Sequence, residues 1–132
     1  WSIINEDGES GITCHFLTKE IDNGKIIYIN KFKTPKNIDI SGLSQKSQKK
    51  QFQTLCYVMS NIFKENWLNR NIKKFSNYKW SGKAKKISSL NKKRIIPISI
   101  KKKSLRKIIK ATNYGKYKPY IKIFGYIFEL KD

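Results

Sequence analysis

Residues Gly11–Phe32 read GITCHFLTKEIDNGKIIYINKF, and this stretch decides how the chain begins to fold. Two β-rich runs, GITCHFLTKEI and KIIYINKF, flank Asp22-Asn23-Gly24. An Asn-Gly pair between such runs predicts a β-hairpin. The period of two places Ile12, Cys14, Phe16 and Thr18 on one face and Thr13, His15, Leu17 and Lys19 on the other. Thr34-Pro35 ends the second strand.

Downstream of the hairpin, the polar segment Ser41–Ser47 offers several N-caps. Phe52, Leu55, Cys56, Met59, Ile62 and Phe63 then follow the i, i+3, i+4, i+7 spacing of an amphipathic helix. That spacing predicts a helix from about Ser44 to about Asn69, weakened at its end by NWLNRN, since Asn favours caps and turns. Trp80–Lys93 reads as a loop without sustained period, and RIIPISI (Arg94–Ile100) as a strand that Pro97 confines to an edge or a bulge. Ser104 caps a short helix, SLRKIIKAT, with Leu105, Ile108 and Ile109 inward. KPYIKIFGYIFEL (Lys118–Leu130) alternates as one strand bent at Gly125 or as two short ones. The order predicts an α+β fold: an N-terminal β-hairpin, one long amphipathic helix, and an antiparallel sheet with a short second helix.

The chain has 132 residues, which reads as a single domain over 1–132. A hydrophobic fraction of 39% supports a folded core despite the high charge. The net charge is +20, from 29 basic and 9 acidic residues, and between Ile40 and Phe128 the only acid is Glu65. Self-repulsion of that size points to a polyanion or an anionic membrane surface as partner. No run approaches the roughly 18 apolar residues of a membrane span. The start WSIINEDGES has no signal-peptide pattern and no initiator Met, which reads as a processed product, an excised domain or an incomplete chain. Two cysteines, Cys14 and Cys56, form neither a metal site nor a disulfide framework and are read as reduced. No cofactor is expected, since neither a Gly-rich phosphate loop nor a zinc-finger spacing occurs.

Lys73–Lys86, KKFSNYKWSGKAKK, interleaves aromatic rings with lysines. Lysines neutralise phosphates and release counterions, while exposed rings stack on unpaired bases. Phe75 lies near the helix period and is assigned to the core; Tyr78 and Trp80 are open between stacking and packing. Lys73, Lys74, Lys79, Lys83, Lys85 and Lys86 are the phosphate contacts of this stretch. A second basic run continues the face through Lys92, Lys93, Arg94, Lys101, Lys102 and Lys103, then Arg106, Lys107 and Lys110 on the following helix. The N-terminus of that helix, near Ser104, offers free backbone N–H groups to a phosphate.

His15 is the only histidine and the one candidate catalytic residue. RNA strand cleavage needs a proton removed from the 2′-hydroxyl and one delivered to the leaving oxygen, with a cation beside the phosphorane. His15 suits the acid or base role, with Glu20, Lys31, Lys33, Thr18, Tyr28 and Tyr120 as unranked helpers. A metal-dependent nuclease is disfavoured, because no acid stands two residues before Lys31 or Lys33.

The terminal run YIKIFGYIFELKD, a basic alternating strand that meets a Gly and a second apolar strand, resembles the closing strands of RelE-like ribonuclease toxins. Such toxins, with the C-terminal domains of contact-dependent inhibition toxins and colicins, imply RNA cleavage, often of tRNA, and an acidic immunity or antitoxin partner. No catalytic residue carries over from the resemblance. The function expected is therefore RNA binding by a ribonuclease toxin domain that cleaves a tRNA-like substrate without metal. The alternative is a non-catalytic rRNA-binding protein of the ribosome, from an AT-rich genome. The site of action is the cytoplasm under the first reading, or an organellar matrix under the second. A DNA-binding module ranks lower, since no helix has a helix-turn-helix pattern, and a membrane partner is not expected.

Overall fold

The structure, a computed structural model, describes residues 1–80 and 86–131. It is an α+β protein whose elements run α1 (Ser2–Asn5), β1 (Glu9–His15), β2 (Ile26–Lys33), α2 (Ile40–Met59), α3 (Trp67–Lys74), α4 (Ile87–Arg94), α5 (Lys102–Thr112), β3 (Tyr120–Ile123) and β4 (Tyr126–Glu129). They divide into two compact units. One comprises Glu9–Lys33 and the described residues from Gln45 to Trp80; the other comprises Trp1–Gly8, Thr34–Ser44 and the described residues from Lys86 onward.

The first unit is built on the β1–β2 hairpin. The strands pair antiparallel with Glu9 opposite Lys33, Ile12 opposite Asn30 and Cys14 opposite Tyr28, and the register shifts between Cys14 and His15. The Asn23-Gly24 pair does not make the expected tight turn. The strands are joined by a longer loop, closed by the Phe16 N–H donating to the Lys25 carbonyl at 3.0 Å. Gly24 serves close approach instead. A Cβ there would lie 1.6 Å from the Phe16 carbonyl oxygen, so only glycine lets the two backbones pass.

Against the hairpin packs α2, followed by α3. Ile27, Val58 and Trp67 form the core, with Cys14, Tyr28, Ile62 and Leu68 packed around them. Each fully buried side chain of this size contributes about 1.5–3 kcal/mol. Thr54 is buried because its hydroxyl is satisfied twice: it accepts from Asn30 Nδ2 at 2.9 Å and donates to the Lys50 carbonyl at 2.7 Å. The helical period of α2 agrees with the sequence, but its phase does not. Thr54 and Val58 face the core, whereas Phe52, Leu55, Met59 and Phe63 are exposed. The expected single helix to Asn69 also breaks at Met59. The Asn61 side chain donates to the Tyr57 carbonyl, and Asn66 adopts φ 58° before α3 restarts. The break turns Trp67 onto Ile27 and Val58.

In the second unit, α4 forms where a loop was expected. RIIPISI is not a strand; it is reduced to a bridge from Ile95 to Tyr120, with the Ile96 N–H donating to the Tyr120 carbonyl at 2.8 Å. Pro97 has no N–H with which to extend the ladder. Helix α5 begins at Lys102, so Ser104 lies inside the first turn and caps nothing; the N-cap position is Lys101. The C-terminal run is two short strands. Tyr120 pairs with Glu129 and Ile123 with Tyr126, across a Phe124-Gly125 turn in which both residues have positive φ. The two hairpins form separate two-stranded sheets.

Candidate nucleic-acid interface

The stretch that follows α3 is fastened to the hairpin by its rings. Phe75 is buried, with its ring edge-on to Tyr28 at 5.8 Å, as the helical period implied. The Trp80 Nε1–H donates to the Gly24 carbonyl at 2.9 Å, and its ring meets His15 in a T-shaped contact at 4.8 Å. Trp80 is therefore an anchor, half-buried, whose polar handle is engaged inside the unit. Tyr78 is the accessible ring, 46% exposed, packed on Phe75 at 5.9 Å with the Lys31 ammonium 5.5 Å from its centroid. Lys31 pairs with Glu9 at 3.1 Å, and that carboxylate, with the Tyr78 hydroxyl, raises the lysine's pKa above 10.5.

Tyr78, Lys79 and Trp80 line two clefts. One, an open cleft of about 500 Å3, is lined also by Glu20–Asn23; the other, of about 300 Å3, is lined also by Glu9, Thr13, Ile29 and Lys31. The result is an exposed tyrosine flanked by Lys79 and Lys31, with Lys73 and Lys74 exposed in the last turn of α3. Among the described residues, Lys73, Lys74 and Lys79 form no ion pair. Glu20 and Asp22 line the first cleft and Glu9 the second, so the unpaired positive charge lies with Lys73, Lys74 and Lys79.

His15 is the last residue of β1, half-buried. Its Nδ1 lies 2.8 Å from the Phe16 carbonyl, which requires Nδ1–H as donor and leaves Nε2 as the basic nitrogen of the neutral ring. Several expected helpers have other partners. Thr18 donates to the Glu20 carbonyl, and Tyr28 stacks on Tyr57 at 4.8 Å, where burial and the neighbouring phenol push its pKa up. Lys31 pairs with Glu9, and Lys33 stands opposite Glu9 in the hairpin register. Among the described residues, no side chain hydrogen-bonds to His15.

The remaining candidates lie in the second unit, apart from Lys83 and Lys85, which fall outside the described residues. Lys86 is the N-cap residue of α4, and Lys92 and Lys93 are exposed in its last turn. Arg94, expected on phosphate, is turned inward. Its Nε donates to the Lys118 carbonyl at 2.9 Å and its Nη2 to the Lys116 carbonyl at 3.2 Å, and the guanidinium stands over Tyr117 and Tyr120. It clamps the C-terminal hairpin. Lys101, Lys102, Lys103 and Arg106 are exposed, whereas Lys107 pairs with Glu6 at 3.2 Å and Lys110 reaches Asn37 at 3.3 Å. Lys36 joins this cluster, which sequence reasoning missed because it sits far away beside Pro35.

Among the described residues, no group of three or more His, Cys, Asp or Glu side chains comes together, and no helix is long and apolar enough to cross a membrane.

No family model matches the chain. A stretch of 27 residues is 63% identical to the methionyl-tRNA formyltransferase of Parabacteroides distasonis. The match covers 20% of this chain and 8% of that protein.

Proposed function

We propose that this chain binds RNA, tRNA before other classes. The observation that carries the reading is the charge: among 29 basic and 9 acidic residues, Glu65 is the only acid between Ile40 and Phe128. Charge and geometry agree with a tRNA ligand: +20 overall, and an accessible Tyr78 framed by Lys31 and Lys79. In this reading Lys73, Lys74 and Lys79 neutralise phosphates, and Tyr78 stacks on an unpaired base. Trp80 holds the stretch against the hairpin. Lys92, Lys93 and Lys101 extend the electrostatic attraction from the second unit.

The role assigned to this chain is binding, and no catalytic step is assigned to its residues. A second reading, metal-independent RNA cleavage with His15 as acid or base, draws on Nε2, since Nδ1 is engaged by the Phe16 carbonyl. It ranks second because, among the described residues, no side chain hydrogen-bonds to His15.

The test is fluorescence anisotropy of labelled tRNA, and of duplex DNA of similar length, titrated with the protein at several salt concentrations. The expected result is tighter binding of tRNA, with log affinity falling linearly with log salt over several units of slope. Equal affinity for the DNA, or salt-independent binding, refutes the reading.

A further inference from the structure

Helix α5 does more than add charge to a surface. Lys102, Lys103, Arg106, Lys107 and Lys110 project from it toward Lys36, and the six cations line one cavity of about 490 Å3 together with Ile3, Asn37 and Glu6. Among the described residues, six cations and one carboxylate, Glu6, line this cavity, and Glu6 pairs with Lys107. Lys107 and Lys110 are half-buried there, and Lys36, Lys102, Lys103 and Arg106 are exposed. The arrangement is balanced by an anion carrying several charges in a small volume. An extended single strand distributes one charge per phosphate along its length and does not concentrate them in such a space.

A second cavity, of about 380 Å3, adjoins the first and shares Ile3, Glu6, Lys36 and Lys103 with it. Its other walls differ in kind: Pro35 and Ile38 are apolar, and Ser2, Thr34 and Asp7 supply hydroxyl and carboxylate groups. The two compartments together suit a ligand with a compact polyanionic end and a neutral hydroxylated or heterocyclic end. All of these residues belong to one compact unit, the one that does not contain Tyr78 and Trp80.

We propose that this double cavity binds an organic diphosphate or triphosphate of the nucleotide kind. The linked phosphates lie among Lys36, Lys103, Arg106 and Lys110, and the organic group lies against Pro35, Ile38 and Asp7. The site is independent of the proposed RNA rim and stands if that reading falls.

The experiment is isothermal titration of the whole chain, in EDTA and at about 150 mM salt, with ATP, inorganic tripolyphosphate and a single-stranded RNA oligonucleotide as probes. The same titrations are made on Lys103→Glu and Arg106→Glu, two exposed positions whose variants are checked for folding by circular dichroism, and on Lys79→Ala. The proposal expects ATP to bind below about 1 mM and more tightly than tripolyphosphate. Either charge reversal weakens ATP by about tenfold or more, and Lys79→Ala leaves ATP binding unchanged. No saturable binding of ATP, equal loss of ATP binding in Lys79→Ala, or RNA binding that ATP cannot displace while the reversals abolish it, overturns the site. In the last case α5 is an RNA contact only.

Discussion

Replacing Trp80 by phenylalanine separates anchoring from stacking, because it keeps an aromatic ring and removes one hydrogen bond. The bond at issue joins Nε1–H to the carbonyl of Gly24, a buried residue, at 2.9 Å. A net hydrogen bond contributes about 0.5–1.5 kcal/mol, and an orphaned buried acceptor adds to the loss. The smaller ring also gives up part of the edge contact with His15. The expected cost is about 1–2 kcal/mol of stability, read in urea as a lower midpoint at unchanged slope. Binding of labelled RNA at fixed salt should stay within about threefold of wild type, a change of under 1 kcal/mol. If Trp80 instead stacks on a base, Trp80→Ala loses about 1–3 kcal/mol of affinity. A phenylalanine variant that unfolds at the wild-type midpoint refutes the anchoring role.

Other outcomes follow from the same geometry. Gly24→Ala pushes a methyl group into the Phe16 carbonyl and should destabilise the hairpin unit by about 1–3 kcal/mol or more; a wild-type urea midpoint would place the loop differently. Lys73→Ala and Lys79→Ala should each make the slope of log affinity for tRNA against log salt shallower by roughly one unit, and an unchanged slope removes that lysine from the interface. Cys56 is exposed and Cys14 half-buried with its thiol pKa pushed above 9.0 by desolvation, so a thiol reagent at neutral pH should modify Cys56 first. Because the folded chain resists ionising Cys14, the thiol's contribution to stability is present below pH 9 and is lost as pH rises through its folded value. Stability measured from pH 8 upward should therefore fall less steeply in Cys14→Ala than in wild type, and parallel curves would contradict this.

The α+β class, the N-terminal hairpin and the burial of Phe75 were legible because each rests on local pattern. What failed depended on partners that a pattern does not name. The apolar period of α2 was correct, yet Thr54 and Val58 face the hairpin, because Asn30 satisfies the Thr54 hydroxyl and Val58 fits against Ile27. Nothing local to Phe52–Phe63 announces Asn30. Gly24 carried a turn signal, but its value lies in the passage of the Phe16 carbonyl, a distance between two backbones. Arg94 sat in a run of cations and read as a phosphate contact, while two distant carbonyls of Lys116 and Lys118 engage it. The basic character of the candidate surfaces could be read directly. The division of those cations between two units, and the addition of Lys36 to α5, required the tertiary structure.

The most direct test of the central claim is a gel of total tRNA and ribosomal RNA incubated with the protein in excess EDTA, beside His15→Ala. The account predicts RNA that is intact and retarded, tRNA at the lower protein concentration, and equally by both proteins. Unretarded RNA contradicts it. Discrete cleavage that vanishes in His15→Ala also contradicts it, and makes the chain a metal-independent ribonuclease.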